Sequence, residues 1–423
     1  MMKKILVKGP ALSRSGYGEQ TRFALRALRT RPDVFDIYLI NIPWGNTGHV
    51  AHMTDETHWI NQCLQKSSMY MAEGNATFDI SLQVTIPLEF EKIAPVNIGY
   101  TAGIETTKVS PKWIERSNDV VDKIITISAH SQNVFLNTRY DVTNNQTGEQ
   151  IPNWGLNIPV DMVGYPTLDH DLEEIDAEFS TENNFLVVSQ WGPRKNLDNT
   201  IRWFVEEFKE DPTAGLILKT NTASDSIIDR DITTQRLEAL LSEPWASGER
   251  KCKIYLLHGE LTPGQLQWLY EHPTMKAMIN IAHGEGFGLP LFEAAQSALP
   301  LITLTWGGQL DFICRSNKKG KAVPYVIPVD YTIQPVQQAA VWEGVIEKDS
   351  MWCFAREASF KRALREALAK QKHYRTRAKE LQKTIAENFT AEDLYAKFVT
   401  FVHEEPDSEV AEWLKKIETI TEL

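Results

Sequence analysis

Four cysteines in 423 residues are few. Cys63, Cys252, Cys314 and Cys353 lie far apart, and none forms a C-x-x-C, so neither a zinc ribbon nor a thioredoxin-type redox motif can be built from them. No apolar run approaches the ~20 residues that a bilayer-spanning helix needs. The start, Met1-Met2-Lys3-Lys4-Ile5-Leu6-Val7, is basic, but its apolar run is too short for a secretory leader and reads as a strand. There is no G-x-G-x-x-G, no Walker loop and no H-E-x-x-H, which removes the usual signatures of dinucleotide, nucleoside triphosphate and zinc-protease chemistry. Positive charge is also short: 44 Lys and Arg against 56 Asp and Glu leave a net charge of −12, a poor basis for wrapping nucleic acid.

What is present is ordinary for a globular chain, with 42% hydrophobic and 24% charged residues, and the length suggests two or three domains. Short β-type runs alternate with helical patterns. Strands are expected at 4–8, 35–40, 80–85, 96–100 and 123–127, with helices over 18–30 and 130–137. A second series starts with a strand at 185–189 and a helix over 199–208. It continues with strands at 216–219, 254–257, 277–281 and 301–305. Such alternation argues for parallel sheets covered by helices on both faces. Residues 166–184 hold Asp169, Asp171, Glu173, Glu174, Asp176, Glu178 and Glu182 without an apolar period, and read as a linker. From Met351 onward the pattern is helical.

Two Gly-containing turns could face a ligand. The first strand leads into Gly9-Pro10-Ala11-Leu12-Ser13-Arg14-Ser15-Gly16-Tyr17-Gly18 and then a helix, an arrangement that leaves free backbone N–H groups aimed at an anion. The sharper signal is His283-Gly284-Glu285-Gly286-Phe287-Gly288-Leu289-Pro290-Leu291-Phe292-Glu293-Ala294-Ala295. It follows a strand, its glycines admit close backbone approach, and Pro290 suits the first turn of a helix. Glu285 on the loop and Glu293 one turn into the helix can then face one crevice, and carboxylates are good acceptors for pairs of sugar hydroxyls.

This stretch resembles the retaining glycosyltransferases of GT-B fold, family 4, relatives of glycogen synthase, whose E-x7-E signature lies within E-G-F-G-L-P-x-x-E-A. The resemblance continues through Leu301-Ile302-Thr303-Leu304-Thr305-Trp306-Gly307-Gly308 and Leu257-His258-Gly259-Glu260-Leu261. It also takes in Val188-Ser189-Gln190-Trp191-Gly192-Pro193-Arg194-Lys195-Asn196, Gly99-Tyr100-Thr101-Ala102-Gly103-Ile104-Glu105-Thr106 and Ile127-Ser128-Ala129-His130-Ser131. It implies an α/β architecture of two Rossmann-like, doubly wound parallel-sheet domains facing across a cleft. Residues 1–175 would form the acceptor domain and 176–385 the nucleotide-sugar donor domain, with helices over 386–423 packing back on the first.

The resemblance also implies roles. Glu293 would bind the ribose of a nucleoside diphosphate sugar, with a UDP-sugar as the leading donor. Glu285 would bind hydroxyls of the transferred sugar. Gly286, Phe287, Gly288 and Leu289 would supply backbone N–H groups, Lys195 would neutralise the diphosphate, Gly16 would approach its distal phosphate, and Leu257 to Leu261 would contact the base. The family usually has an Arg where Gln190 stands, and Arg194 is the replacement candidate. Many members carry a first-domain histidine near the anomeric carbon. Here Gly103-Ile104-Glu105-Thr106 occupies that region, and Glu105 is the candidate group.

No cofactor and no metal are expected. Asp169-His170-Asp171 falls in the linker, and Asp229-Arg230-Asp231 falls in what reads as a polar loop, so neither follows a strand as a metal-holding D-x-D would. The reaction expected is transfer of a hexosyl or pentosyl group to a saccharide or other small acceptor. The alternative acceptor is DNA carrying modified bases, as in bacteriophage enzymes. It rests on ten Lys and Arg against three Glu between Arg356 and Lys383, read as one basic helix, and on Arg315, Lys318, Lys319 and Lys321 in a loop. The setting expected is cytoplasmic, the host cytoplasm if the chain is phage-encoded. A dehydrogenase and an inactive nucleotide-sugar binding protein are the rivals from other classes.

Overall fold

The computed structural model describes residues 2–50, 52–143, 147–316 and 322–404. Lys318, Lys319 and Lys321 and the stretch 405–423 therefore lie outside the described residues.

The first half builds a parallel sheet from β1 (Lys3–Gly9), β2 (Phe35–Asn41), β3 (Ile80–Val84), β4 (Val96–Thr101) and β5 (Lys123–Thr126). The hairpin β6 (Tyr140–Thr143) and β7 (Gln150–Trp154) stands apart, and β8 (Val160–Met162) completes the sheet. The order is β2-β1-β3-β4-β5-β8. Its helices are α1 (Gly16–Arg29), α2 (Asp55–Ala72), α3 (Pro111–Val120) and α4 (Ala129–Asn137). The strands are near-continuous apolar runs because both faces are covered, and Ile5, Val7, Leu82, Val84, Ile98 and Ile125 are fully buried.

No helix or strand falls between Met162 and Asn183. The segment is nevertheless docked: Thr262 donates to Glu173 at 2.8 Å, and Phe179 packs edge-on against Tyr255 and His272.

The second half repeats the design. It uses β9 (Asn183–Val188), β10 (Ala214–Lys219), β11 (Lys253–Leu257), β12 (Met275–Asn280) and β13 (Leu301–Leu304). A short pair, β14 (Cys314–Ser316) and β15 (Ala322–Pro324), precedes β16 (Ile327–Val329), and β17 (Tyr331–Pro335) pairs antiparallel with β18 (Met351–Ala355). The sheet order is β11-β10-β9-β12-β13-β16. Its helices are α5 (Leu197–Phe208), α6 (Ile227–Leu241), α7 (Pro263–Glu271), α8 (Leu289–Gln296), α9 (Leu310–Ile313), α10 (Glu357–Ala369), α11 (Gln371–Asn388) and α12 (Ala391–Val402). The last of these lies on α1, where Phe398 meets Phe23 edge-on at 5.2 Å. No helix among the described residues is long and apolar enough to cross a membrane.

Three sequence expectations are corrected. Met351–Ala355 is a strand, because Trp352 and Cys353 bury against the His283 loop, and helix begins at Glu357. The basic stretch is two helices, broken at Lys370 (φ −116°, ψ 30°). Asp229-Arg230-Asp231 lies in the first turns of α6, where the Ser226 side chain accepts from the Asp229 N–H and caps the helix.

Candidate functional site

The loop after β12 carries Glu285 into the seam between the two halves. Asn280, the last residue of the strand, donates to Glu285 Oε1 at 2.9 Å. The turn after β9 brings in Arg194 and Lys195. Lys195 Nζ reaches both Glu285 oxygens, at 2.6 and 2.9 Å, and Arg194 reaches Oε2 at 3.2 Å. Arg194 also donates to the Gly284 carbonyl at 2.6 Å and pairs with Glu105, from the first half, at 3.2 Å. The cluster thus joins Glu285, Lys195, Arg194 and Glu105, all singled out from the sequence. Asn280 was not, since nothing in the sequence marks a strand-end amide as a carboxylate partner.

Burial disfavours the charge on Glu285, but Lys195 and Arg194 overcome it and hold its pKa at about 2. Burial also opposes the Arg194 charge and is outweighed by Glu105 and Glu285, so its pKa rises. For Lys195, burial and the neighbouring Arg194 outweigh Glu285, and its pKa falls. Glu285 and Arg194 are charged at neutral pH, in a site where charge acts strongly on a ligand.

Glu293, on α8, receives the Tyr270 hydroxyl at 3.1 Å. Burial raises its pKa to about 7, the Tyr270 bond opposes this, and Glu19 of α1 adds to it. Between the two carboxylates the backbone N–H groups of Gly286, Phe287 and Gly288 find no acceptor among the described residues, and they open the N-terminal turn of α8 to an anion. The Phe287 side chain points the other way, into a ring cluster with Tyr165, Phe292 and Phe312. Gly308 clamps the loop. Its N–H donates to the Glu285 carbonyl at 2.8 Å, and a Cβ there would collide with the Gly286 carbonyl.

Gly16 opens α1 and is exposed, with nothing within 4 Å of where a Cβ would stand. Its neighbour Arg14 pairs across the seam with Glu260, in the loop between Leu257 and Leu261. Both leucines are half-buried against the core. Gln190 is exposed and donates to the Thr222 carbonyl at 3.0 Å, apart from the cluster, so Arg194 alone among the two reaches Glu285.

Asp229 is already engaged. It accepts from the N–H groups of Thr222 and Ala223, at 3.0 and 2.8 Å, and pairs with His258 at 2.9 Å. Burial opposes the Asp229 charge, but His258 and these N–H groups lower its pKa. Among the described residues no group of three or more His, Cys, Asp or Glu is placed to hold a metal ion.

The basic helices are largely paired internally. Lys361 meets Glu206 and Glu357, Arg362 meets Asp330, Arg365 meets Glu207, Lys370 meets Glu366, and Lys383 meets Glu387. Arg375 and Arg377 donate to backbone carbonyls, and Arg315 pairs with Glu380 at 3.3 Å.

Two facing, doubly wound parallel-sheet domains with the site in their seam are the GT-B fold. Known structures agree. Sucrose-phosphate synthase from Thermosynechococcus elongatus superposes with a TM-score of 0.57 at 12% identity, covering 94% of this chain and 98% of that one. HepE from Anabaena, in complex with UDP and glucose, gives 0.54 at 11%, covering 94% and 99%. A glycosyltransferase from Rickettsia africae gives 0.53 at 11%, covering 95% and 98%. The chain spans 55% of the length of S. aureus TarM, which it matches at 16% identity with a TM-score of 0.48 over 77% of itself. No protein-family model matches the sequence, and no curated protein does.

Proposed function

We propose that this chain is a retaining glycosyltransferase that moves a sugar from a UDP-sugar to a hydroxyl of a saccharide or other small acceptor. The observation that carries the reading is the ionised Glu285, held by Lys195 and Arg194, eight residues before Glu293, with unpaired backbone N–H groups between them. Glu293 would take the ribose diol, the N–H groups and Lys195 the diphosphate, and Glu285 the hydroxyls of the transferred sugar. HepE holds UDP and glucose in the same fold, which favours uridine as the base.

In the reaction the acceptor oxygen forms a bond to the anomeric carbon as the bond from that carbon to the diphosphate oxygen breaks. The electron pair leaves with the diphosphate. The acceptor proton passes to a phosphate oxygen, and attack on the face the diphosphate leaves retains the configuration. The transition state resembles an oxocarbenium ion, as in glycoside chemistry generally. Charge on the leaving diphosphate would be met by Lys195, Arg194 and the turn of α8, preorganised donors of the kind that contribute most to such steps. We read the reaction as independent of a metal because these groups are in place and Asp229 is committed elsewhere. A DNA acceptor draws no support from basic helices whose side chains are mostly paired.

The test is incubation with UDP-glucose, UDP-galactose and UDP-N-acetylglucosamine, with and without EDTA, followed by proton NMR of the anomeric signal. Release of UDP with an α product or α-hexose as the first species, unaffected by EDTA, is expected. A β first product would overturn retention, and loss with EDTA restored by Mn²⁺ would overturn metal independence.

A further inference from the structure

Between β17 and β18 the chain forms an arm, residues 336–350, that leaves the second half and lands on the first. Its root is at the site. Gln337 Nε2 lies 3.0 Å from His283 Nε2, and the His283 backbone N–H donates to the Arg194 carbonyl at 2.8 Å. The turn Gln338–Ala340 packs against the turn Pro193–Lys195, which carries Arg194 and Lys195. The tip turns at Gly344 (φ +81°) and buries Val345 among Phe90, Ile104, Val109 and Trp113, an apolar core of the first half.

Polar contacts fasten the tip around Val345. Ser110 precedes α3 but does not cap it with its side chain. Its hydroxyl donates instead to Glu347 at 2.6 Å. Lys108 pairs with Asp349, and Lys112 with Glu343 at 3.7 Å. The Thr107 N–H donates to the Met351 carbonyl at 2.9 Å, and the Met351 N–H donates to the Thr107 hydroxyl at 3.0 Å. These partners follow directly on Glu105, which pairs with Arg194. The arm therefore holds both ends of the Glu105–Arg194 pair.

The other edge of the seam, where β1 and β11 end, is joined by charge. Arg14 and His52 both meet Glu260 there, and all three side chains are partly exposed. Exposed ion pairs contribute little, whereas burial of an aliphatic side chain contributes in proportion to its apolar area. Domains joined in one chain move relative to one another unless an apolar contact prevents it. Among these contacts only the arm places an apolar side chain of one half inside the core of the other.

We propose that residues 336–350 are a strap between the halves. It holds the Glu105 edge of the cleft shut and confines opening to the Arg14–Glu260 edge. Val345 and Glu347 are then positioning residues, which set Arg194 against Glu105 and Glu285. Only the expected effect on turnover rests on the nucleotide-sugar reading of the site.

The experiment compares the parent with Val345→Asp, which expels the apolar anchor, with the double variant Glu347→Ala and Asp349→Ala, which removes polar anchors and leaves the core filled, and with Val345→Ile. Small-angle X-ray scattering without ligand reads the separation of the halves. Circular dichroism reads the fold, calorimetry the affinity for UDP, and UDP release the turnover of the UDP-hexose the parent prefers. Val345→Asp and the double variant should keep the parent's circular dichroism and show a larger radius of gyration. They should bind UDP within threefold of the parent, because the nucleotide ligands lie mainly in the second half. Turnover should fall at least tenfold, since the groups around the sugar are misplaced. Val345→Ile should match the parent. Folded variants with the parent's radius overturn the strap, whatever their turnover, and a larger radius with parental turnover overturns the positioning role. If Val345→Asp does not fold, the double variant decides alone. A parent that binds no UDP overturns the site reading, and the radii still decide the strap.

Discussion

Glu285 and Glu293 stand eight residues apart, and their carboxyls are pushed to opposite sides of the ordinary range, to about 2 and about 7. The cause is local. Glu285 is buried against Lys195 and Arg194, whereas the half-buried Glu293 meets a tyrosine hydroxyl and the distant charge of Glu19. Environments that separate two carboxyls in this way assign them different work. Glu285 is a fixed anion, and Glu293 changes charge near neutrality.

Nucleotide binding should therefore be coupled to a proton. A ribose diol needs the carboxylate of Glu293 as acceptor, so UDP affinity should rise between pH 5.5 and 7.5 and level off above. Binding at pH 6.5 should release a proton, visible as a dependence of calorimetric heat on buffer ionisation enthalpy. In the free protein the sign is reversed. A carboxyl whose folded pKa is raised destabilises as pH climbs from the ordinary carboxyl range through about 7. Glu293→Gln should flatten both profiles, and an unaltered UDP profile in that variant would contradict the assignment.

Glu285 gives the opposite stability profile. Its folded pKa is depressed, so its contribution is present above the ordinary carboxyl value and disappears as pH falls toward about 2. Lys195→Met removes the strongest partner of a buried anion, which costs about 3 kcal/mol or more. The urea midpoint at pH 7 should fall, and acid unfolding should begin at higher pH. A midpoint equal to the parent's would show that Arg194 and Asn280 suffice.

Much of this was legible in the sequence because parallel strands covered on both faces are written as apolar runs. Residues 185–189 and 277–281 are strands within a residue or two of where their composition put them. The E-x7-E spacing likewise marked the loop and helix that carry Glu285 and Glu293. Met351–Ala355 read as helix because its partner strand, Tyr331–Pro335, lies 16 residues upstream and leaves no local trace. Ser226 caps 227–241 as a helix, but the polar residues there read as loop because no apolar period marks them. Asn280 and Tyr270 are ordinary residues in sequence. Only the tertiary fold brings Asn280 to Glu285, and Tyr270 to Glu293.

The Gly308 clamp predicts a local failure. In Gly308→Ala the new methyl must displace the Gly286 carbonyl, and the loop that carries Glu285 moves with it. Turnover should drop at least a hundredfold, since about 1 Å of misplacement costs that much. The far-ultraviolet circular dichroism should remain that of the parent. Parental turnover in this variant would show that the loop is not held as described.

Asp229 and Asp231 should separate sharply. Asp229→Ala removes the acceptor for two backbone N–H groups and the partner of His258, and should cost about 2–4 kcal/mol of stability. Asp231 is exposed, so Asp231→Ala should leave stability within about 0.5 kcal/mol. Thermal denaturation of the two variants checks this. A shift in the Mn²⁺ response of either would instead indicate a metal-binding role.

The central claim, that Glu293 holds the ribose of a bound nucleotide, is tested most directly by titrating UDP into the parent and into Glu293→Ala at pH 8. A charge-assisted hydrogen bond is worth about 1.5–3 kcal/mol, or roughly tenfold to 150-fold in affinity. The expected result is saturable one-to-one binding by the parent and a loss of at least tenfold in a variant that remains folded. Equal affinity in the two proteins, or no binding by the parent, would contradict the account.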